Sequence, residues 1–513
     1  MEKKGHIGNK RGRAIALAAC VCGLVGVSSE ASSAGKILGA SASEHPVAEM
    51  FTISEETSSA GKMLGASSEA YAMGKTFAPS SASSVSDDDF AALSQAVQKY
   101  AIVGDFHDGL AWAERNGKYG YINTRGEEVV PCRYDAAGNF ARGMAAVKLG
   151  EKYGYINTRG EQVVPCRYDA AGSMAKGIAE VGLNDKWGFV NARGEEVVPC
   201  RYDGVGTFSE GMANVMLKGK YGYADGKFGY VNEQGKEVIP CKYDWASDFT
   251  DGMAIIGRNE LDNTGQIKGV KSGYVNADGE EIVPFRYDVA QPFSEGMAAV
   301  CLDGKCGFVN TRGEEVIPCQ YDWAWGFTEG LARVHRNGKW GFINAQGEEA
   351  VPCRYDEAGA FSEGLAPVGR DIRRGAYDQL MSGKYGFINT RGEEVIPCRY
   401  DAVEAFLDGM AKVKRGGKWD DEFEQIMGSM CGFVNTRGDE IVPCRYDEVG
   451  NFADGMAVIS LNEKYGFVNQ QGKEVTPCRY DWAETFSEGL ARVQIGDKWG
   501  YVNKDGQDTF GNK

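Results

Sequence analysis

The residues in this chain whose types could do chemistry are fourteen cysteines, a recurring Glu-Glu pair and a recurring Asp. Nine cysteines share one phrase, P-C-R-Y or a close variant: Cys132, Cys166, Cys200, Cys241, Cys319, Cys353, Cys398, Cys444 and Cys478. Phe285 takes that slot once, so the slot is apolar, and a free Cys in it behaves as a small hydrophobe. Cys301 and Cys306 flank a turn at a spacing of five and are the one pair expected to face each other as a disulfide. Outside the N-terminal segment there is no C-x-x-C, and the only histidines are His6, His45, His107 and His335, so no zinc or other metal site is expected. Adjacent strand residues point to opposite faces, so pairs such as Glu127/Glu128 or Glu314/Glu315 do not converge on one substrate atom. They read as partners for the Arg of T-R-G and C-R-Y. The Asp that closes each C-R-Y-D, Asp135 for example, reads as a turn or cap residue. No G-x-S-x-G, no Ser-His-Asp order and no phosphate loop occurs, which points to a non-catalytic chain without a cofactor.

The elements that carry these residues repeat. A 34-residue unit runs F-x-x-G-[ML]-A-x-V, a variable loop, K-[YW]-G-[YF]-[IV]-N-x-x-G-E-E-V-[VI]-P-C-R-Y-D. It begins at Phe106, Phe140, Met174, Phe208, Phe249, Phe293, Phe327, Phe361, Phe406, Phe452 and Phe486, and the last unit is truncated, with a polar tail after Gln507. Three strands per unit are predicted, such as GMAAVKL, KYGYIN and EQVVPCRY in the second. N-x-x-G between the last two makes a hairpin turn in which Asn closes the loop and Gly takes the left-handed position. The recurring Pro, as at Pro131, puts the third strand at an edge or a bulge. Phe reads as a plug between neighbours, since a unit this small buries its apolar face only by stacking.

Ahead of the repeats, MEKKGHIGNKRGR and the apolar run Ala14–Val27 have the order of a secretory signal, residues 1–34. Leu17-Ala18-Ala19-Cys20 offers a rival reading, a lipoprotein signal anchored at Cys20. Residues 35–86 are Ser/Ala/Gly-rich and read as a flexible linker, 87–101 as a short helix capping the N-terminal end of the array, and 102–513 as the array itself. The formal charge of −16 argues against a nucleic-acid partner.

Lys186-Trp187-Gly188, Lys339-Trp340-Gly341 and Lys498-Trp499-Gly500, with Lys-Tyr-Gly at Lys118, Lys152, Lys220, Lys384 and Lys464, resemble the WG β-repeat family of bacterial proteins from about 105 to 507. The resemblance implies an all-β repeat fold and no particular reaction or ligand. An open superhelix of three-stranded meanders is favoured over a closed propeller, because propellers usually have four to eight blades of four strands.

Successive closing Asp residues lie 34 apart except for steps of 41, 44, 45 and 46, and each excess falls between the first and second strands. The insertions are YGYADGK in the fourth unit and stretches near 257–272, 369–383 and 415–430. Insertions at one equivalent loop map to one face of an array. Asp262, Arg373, Arg374, Tyr377, Trp419, Asp420, Asp421 and Phe423 are therefore the candidate partner-binding residues. The expected role is an exported, non-catalytic scaffold for a protein or glycan of the cell envelope, touching the membrane only through an anchor at Cys20. A carbohydrate-binding array using exposed aromatics is the alternative, and a spacer without ligand is the third reading.

Overall fold

The computed structural model describes residues 86–220, 222–263, 265–375, 380–420 and 425–510, so the expected signal, Cys20 and nearly all of the linker lie outside it. In the first unit β1 (Ile102–Val103), β2 (Leu110–Arg115), β3 (Lys118–Asn123) and β4 (Glu128–Tyr134) form one antiparallel sheet in the order β1-β2-β3-β4. Ten of the eleven units therefore have four strands rather than three. The extra one is the short stretch after Tyr-Asp, which pairs with the next strand, as Ala136–Ala137 does with Lys148 and Val147.

The turn chemistry is local. Asn123 Oδ1 accepts from the amides of Arg125 and Glu127 (both 3.0 Å), and Gly126 sits at φ +73°. The glycine of Lys-aromatic-Gly has a different task. A Cβ on Gly120 would lie 2.7 Å from the Cys132 amide nitrogen, so only Gly lets β4 cross β3 this closely, where the register shifts. Gly120 also pairs with Ala113 of β2. The missing side chain opens a window through which the Cys132 thiol donates to the Ala113 carbonyl at 3.5 Å. Cys200 reaches Val181 and Cys478 reaches Ile459 in the same way (3.5 and 3.7 Å).

Neighbouring sheets are tied by recurring bonds, and three kinds recur between the last unit and the first. Tyr121 donates to the Gly138 carbonyl and Tyr155 to that of Gly172; Tyr501 donates to Gly104 at 2.5 Å. Ser294 Oγ donates to the Phe327 carbonyl, and Ser487 to that of Phe106. The Gly143 amide donates to Asp108, the Gly330 amide to Glu295, and the Gly109 amide to Glu488 at 2.8 Å. The array is thus a closed, eleven-bladed propeller, the alternative rather than the favoured open superhelix. The strand count that favoured openness was short by one in each of those ten units. The repeating Phe is the plug it was expected to be: Phe140 packs edge-on to Tyr121 of the preceding blade at 4.8 Å, and Phe361 to Phe342.

The eleventh blade has only three strands, ending at Lys498–Asn503. The start of its fourth is supplied by residues 508–510, where Asp508 pairs with Val502 and a Cβ on Gly500 would meet Thr509. The helix α1 (Asp87–Val97), whose cap Ser86 accepts from the Asp89 amide, packs in the remainder of that place. Phe90, Leu93 and Val97 bury against Leu490 and Tyr501 of blade eleven and Phe106, Ala111 and Ile122 of blade one. A Cβ on Gly126 would overlap that of Ala96, as one on Gly160 would press on Val130, 34 residues further along. The helix expected to cap an open end instead completes the ring. The end of the chain also departs from expectation. Asp508 and Thr509 are buried rather than part of a polar tail, with Thr509 N donating to the Tyr501 carbonyl and Tyr480 donating to Asp508.

Candidate interaction face

Every turn between the second and third strand of a blade lies at one rim, because all eleven sheets share one strand order and direction. The closing Asp holds that rim together. Asp135 takes an ion pair from Lys118 of its own blade and the Gly150 amide of the next blade (2.8 Å). Asp169 (Lys152, Asn184 N), Asp322 (Lys305, Asn337 N) and Asp481 (Lys464, Gly496 N) repeat the arrangement. The lysine and the amide hold Asp135, Asp169, Asp322 and Asp481 below the usual carboxylate range. At Asp203 and Asp401 burial opposes the charge, but Lys186 and Lys384 with a backbone amide outweigh it and the pKa again falls. These residues are blade-to-blade staples, a role beyond the turn or cap that the sequence suggested.

Four hairpins rise above this rim. Blade four extends its pair to Met212–Gly219 and Gly222–Asn232, and blade five to Met253–Leu261 and Ile267–Asn276. Blade eight extends to Leu365–Arg374 and Leu380–Asn389, and blade nine adds a separate hairpin, Lys418–Asp420 with Gln425–Met427. Blades six and seven between them keep short turns, 302–305 and 336–339. Of the thirteen large hydrophobics exposed among the described residues, seven stand on these hairpins: Leu217, Leu261, Ile267, Val270, Met381, Trp419 and Met427. Leu261 is 58 % exposed and Ile267 57 %, values that no packing against the blade explains.

The sequence-derived candidates divide here. Asp262 sits on the blade-five hairpin and closes its turn, accepting from the Gln266 amide at 3.0 Å much as Asn does in N-x-x-G. Arg373 is exposed on blade eight, paired with Ser382 across the ladder. Arg374 is engaged inside the molecule, with Nε and Nη2 on the two oxygens of Glu357 (2.7 and 3.0 Å) and a bond to Tyr385. Trp419 is exposed on blade nine opposite Ile426, and Asp420 is half-buried opposite Gln425. Tyr377, Asp421 and Phe423 lie outside the described residues. The set thus forms two stations, one on blade five and one on blades eight and nine. Sequence reasoning missed the apolar residues Leu261, Ile267, Val270 and Met381, whose signal was an apolar type inside an insertion.

The rest of the chemistry is structural. Cys301 and Cys306 face each other across the blade-six hairpin and are bonded (S–S 2.10 Å). Burial, reinforced by a neighbouring carboxylate such as Glu196, pushes the Cys200 thiol up to about 11, and burial with Glu440 does the same at Cys444. No group of three or more His, Cys, Asp or Glu fit to hold a metal occurs among the described residues. The first Glu of a pair accepts from its own turn, as Glu127 does from Asn123 and Arg125, while the second meets an Arg of the preceding blade, as Glu315 meets Arg286, or of its own, as Glu349 meets Arg336. Three tryptophans are covered by arginines and do not offer a free face to a sugar: Arg333 lies between Trp325 and Trp340, and Arg492 over Trp499 at 4.1 Å. Besides Trp419 on its hairpin, Trp482 is exposed, at 47 %, and stands beside Tyr465 at 5.6 Å. Between blades two and three, Ala146 leaves a cavity of about 350 Å³ walled by Tyr153 and Ala171; in blade one the equivalent place is filled by Trp112.

No curated protein matches the chain. Among solved structures it is similar to a eukaryotic initiation factor (11 % identity, 65 % of this chain and 94 % of that one, TM-score 0.37). It is also similar to the extracellular domain of a putative hybrid two-component system from B. thetaiotaomicron (10 % identity, 79 % and 63 %, TM-score 0.18) and to a puromycin hydrolase (11 % identity, 75 % and 61 %, TM-score 0.23). The family model for the WG containing repeat matches eleven times, from residues 99–119 through 465–499, in register with the blades. This propeller, with its Lys-aromatic-Gly crossings, belongs to the family of WG repeat proteins.

Proposed function

We propose that the protein is a non-catalytic binding scaffold that engages a protein of the cell envelope through the hairpin rim. The observation that carries this reading is the placement of exposed apolar side chains on four lengthened hairpins at one rim, in two pairs that flank the low blades six and seven. Exposed apolar groups gathered in one region mark interaction surfaces, whereas scattered ones do not. The N-terminal targeting pattern supports an extracytoplasmic setting, as a soluble exported protein or one anchored at Cys20. A glycan ligand is the second reading, favoured by the exposed Trp482 beside Tyr465, since aromatic faces stack on sugar rings.

The test is retention on washed envelope fractions. The parent is compared with a variant whose four hairpins are cut back to the turn of blade seven, Arg336-Asn337-Gly338-Lys339. Loss of retention at an unchanged melting temperature is expected; retention by the trimmed ring would sink the reading. Co-sedimentation with purified cell-wall polysaccharide, abolished by Trp482→Ala, would instead favour the glycan.

A further inference from the structure

Ten of the eleven blade junctions are crossed by the chain itself, because each fourth strand runs through one Asp or equivalent residue into the next blade. Only the junction between blades eleven and one is held without a covalent connection. It is also built differently. Between blades four and five, Asn214 donates to Asp248 at 2.7 Å, beside Gly206. At the seam the same three repeat positions hold Arg492, Asp105 and Glu484, which gathers two carboxyls and one guanidinium at one junction. Arg492 Nη2 pairs with Glu484 at 2.7 Å, and its Nη1 donates to the Val103 carbonyl of blade one at 3.0 Å.

We propose that Glu484, facing Asp105 across the seam, makes closure of the ring pH-dependent, its proton holding blade eleven against blade one. Two carboxylates and one arginine in a largely buried junction leave one negative charge uncompensated, and the proton removes it. The groups that face Glu484 are Asp105 from blade one, Arg492 and the Tyr501 phenol from blade eleven, and the Trp482 side chain. From α1, Phe90, Leu93 and Val97 enter the same cluster, none of them charged. Burial first, then the bond to and the charge of Asp105, lift Glu484 to about 7 against the pull of Arg492. A carboxyl raised in the closed ring contributes stability that is fully present below its open-state value, near 4.3, and is lost as pH rises through 7. The seam is therefore tightest in mild acid and loosest above neutrality.

Hydrogen exchange of the full chain, followed by mass spectrometry at pH 5.5 and 8.5 and corrected for intrinsic rates, tests this. Segments 100–115 and 482–503 are expected to lose protection by up to about 30-fold across that span, while blades five to seven do not. Glu484→Gln and, separately, Asp105→Asn should flatten the seam's pH profile. A seam that tracks blades five to seven would overturn the proposal, as would a Glu484→Gln or Asp105→Asn protein that keeps the wild-type profile.

Discussion

A Cβ at Gly188 would lie 2.7 Å from the Pro199 carbonyl carbon and 2.8 Å from the Cys200 amide, both backbone atoms with nowhere to go. Gly188→Ala is expected to cost about 1–3 kcal/mol through overpacking, read as a fall in the denaturation free energy. Gly143→Ala meets nothing within 4 Å and differs only in its φ of +80°, so about 1 kcal/mol is expected there. Equal losses at both sites would contradict the crossing role given to the triplet glycine. The half-buried thiol that the crossing positions is, by the same geometry, inert. With Cys200 near 11, modification by a thiol reagent at pH 7 should be slow in the native state and rise about tenfold per pH unit. The sequence made these thiols legible, because Phe285 marks their slot as apolar. The carbonyl each one meets was not legible, since it lies nineteen to thirty-one residues back, across an intervening strand.

At the scale of elements, α1 and the staples decide how blades join. Leu93 is fully buried under the last blade, so Leu93→Asp should cost about 3 kcal/mol or more and release blade eleven first. Limited proteolysis should then cut near residues 482–510 while the central blades resist; cleavage spread evenly around the ring would refute that assignment. The staples act at the ten junctions that the chain crosses, whereas the seam has Ala101 at that position. Asp203 and Asp401 have lowered pKa values, so their contribution is complete above about 4 and is lost as pH falls through the folded-state values. Asp401→Asn should lower the melting temperature at neutral pH and leave it nearly unchanged well below about pH 4, which flattens the acid limb of the profile. The helix itself was readable from the acidic first turn of SDDDFAALSQAV, but its task was not. A register clue existed: Tyr100 stands 34 residues before Tyr134 and donates to Glu128 as Tyr446 does to Glu474. The fourth strand escaped notice because two residues such as Ala136–Ala137 carry no alternation to read.

For the whole molecule, closure gives every blade two neighbours, where an open array would leave two blades with one. Unfolding followed at blades two, six and ten is expected to share one midpoint, whereas an array that frays from its ends would show separate ones. The eleven-fold count was legible from the period alone, but closure was not, because it depends on small angles between sheets that no residue type specifies. The hairpin rim was half legible. Where the insertions fall is a matter of counting, while their apolar exposure and the capture of Arg374 by Glu357 needed coordinates.

The chain enters the ring at Ser86, directly ahead of the helix that completes it. Any tension carried by the preceding segment is thus applied to α1 before it reaches a single strand. The clasp and the point of entry are the same eleven residues, so a load along the preceding chain would be felt at the one joint that lacks a covalent link. In mechanical terms the protein is a necklace hung by its fastener: pulled from the N-terminal side, it should yield first at blade eleven, with the hairpin-bearing blades still folded.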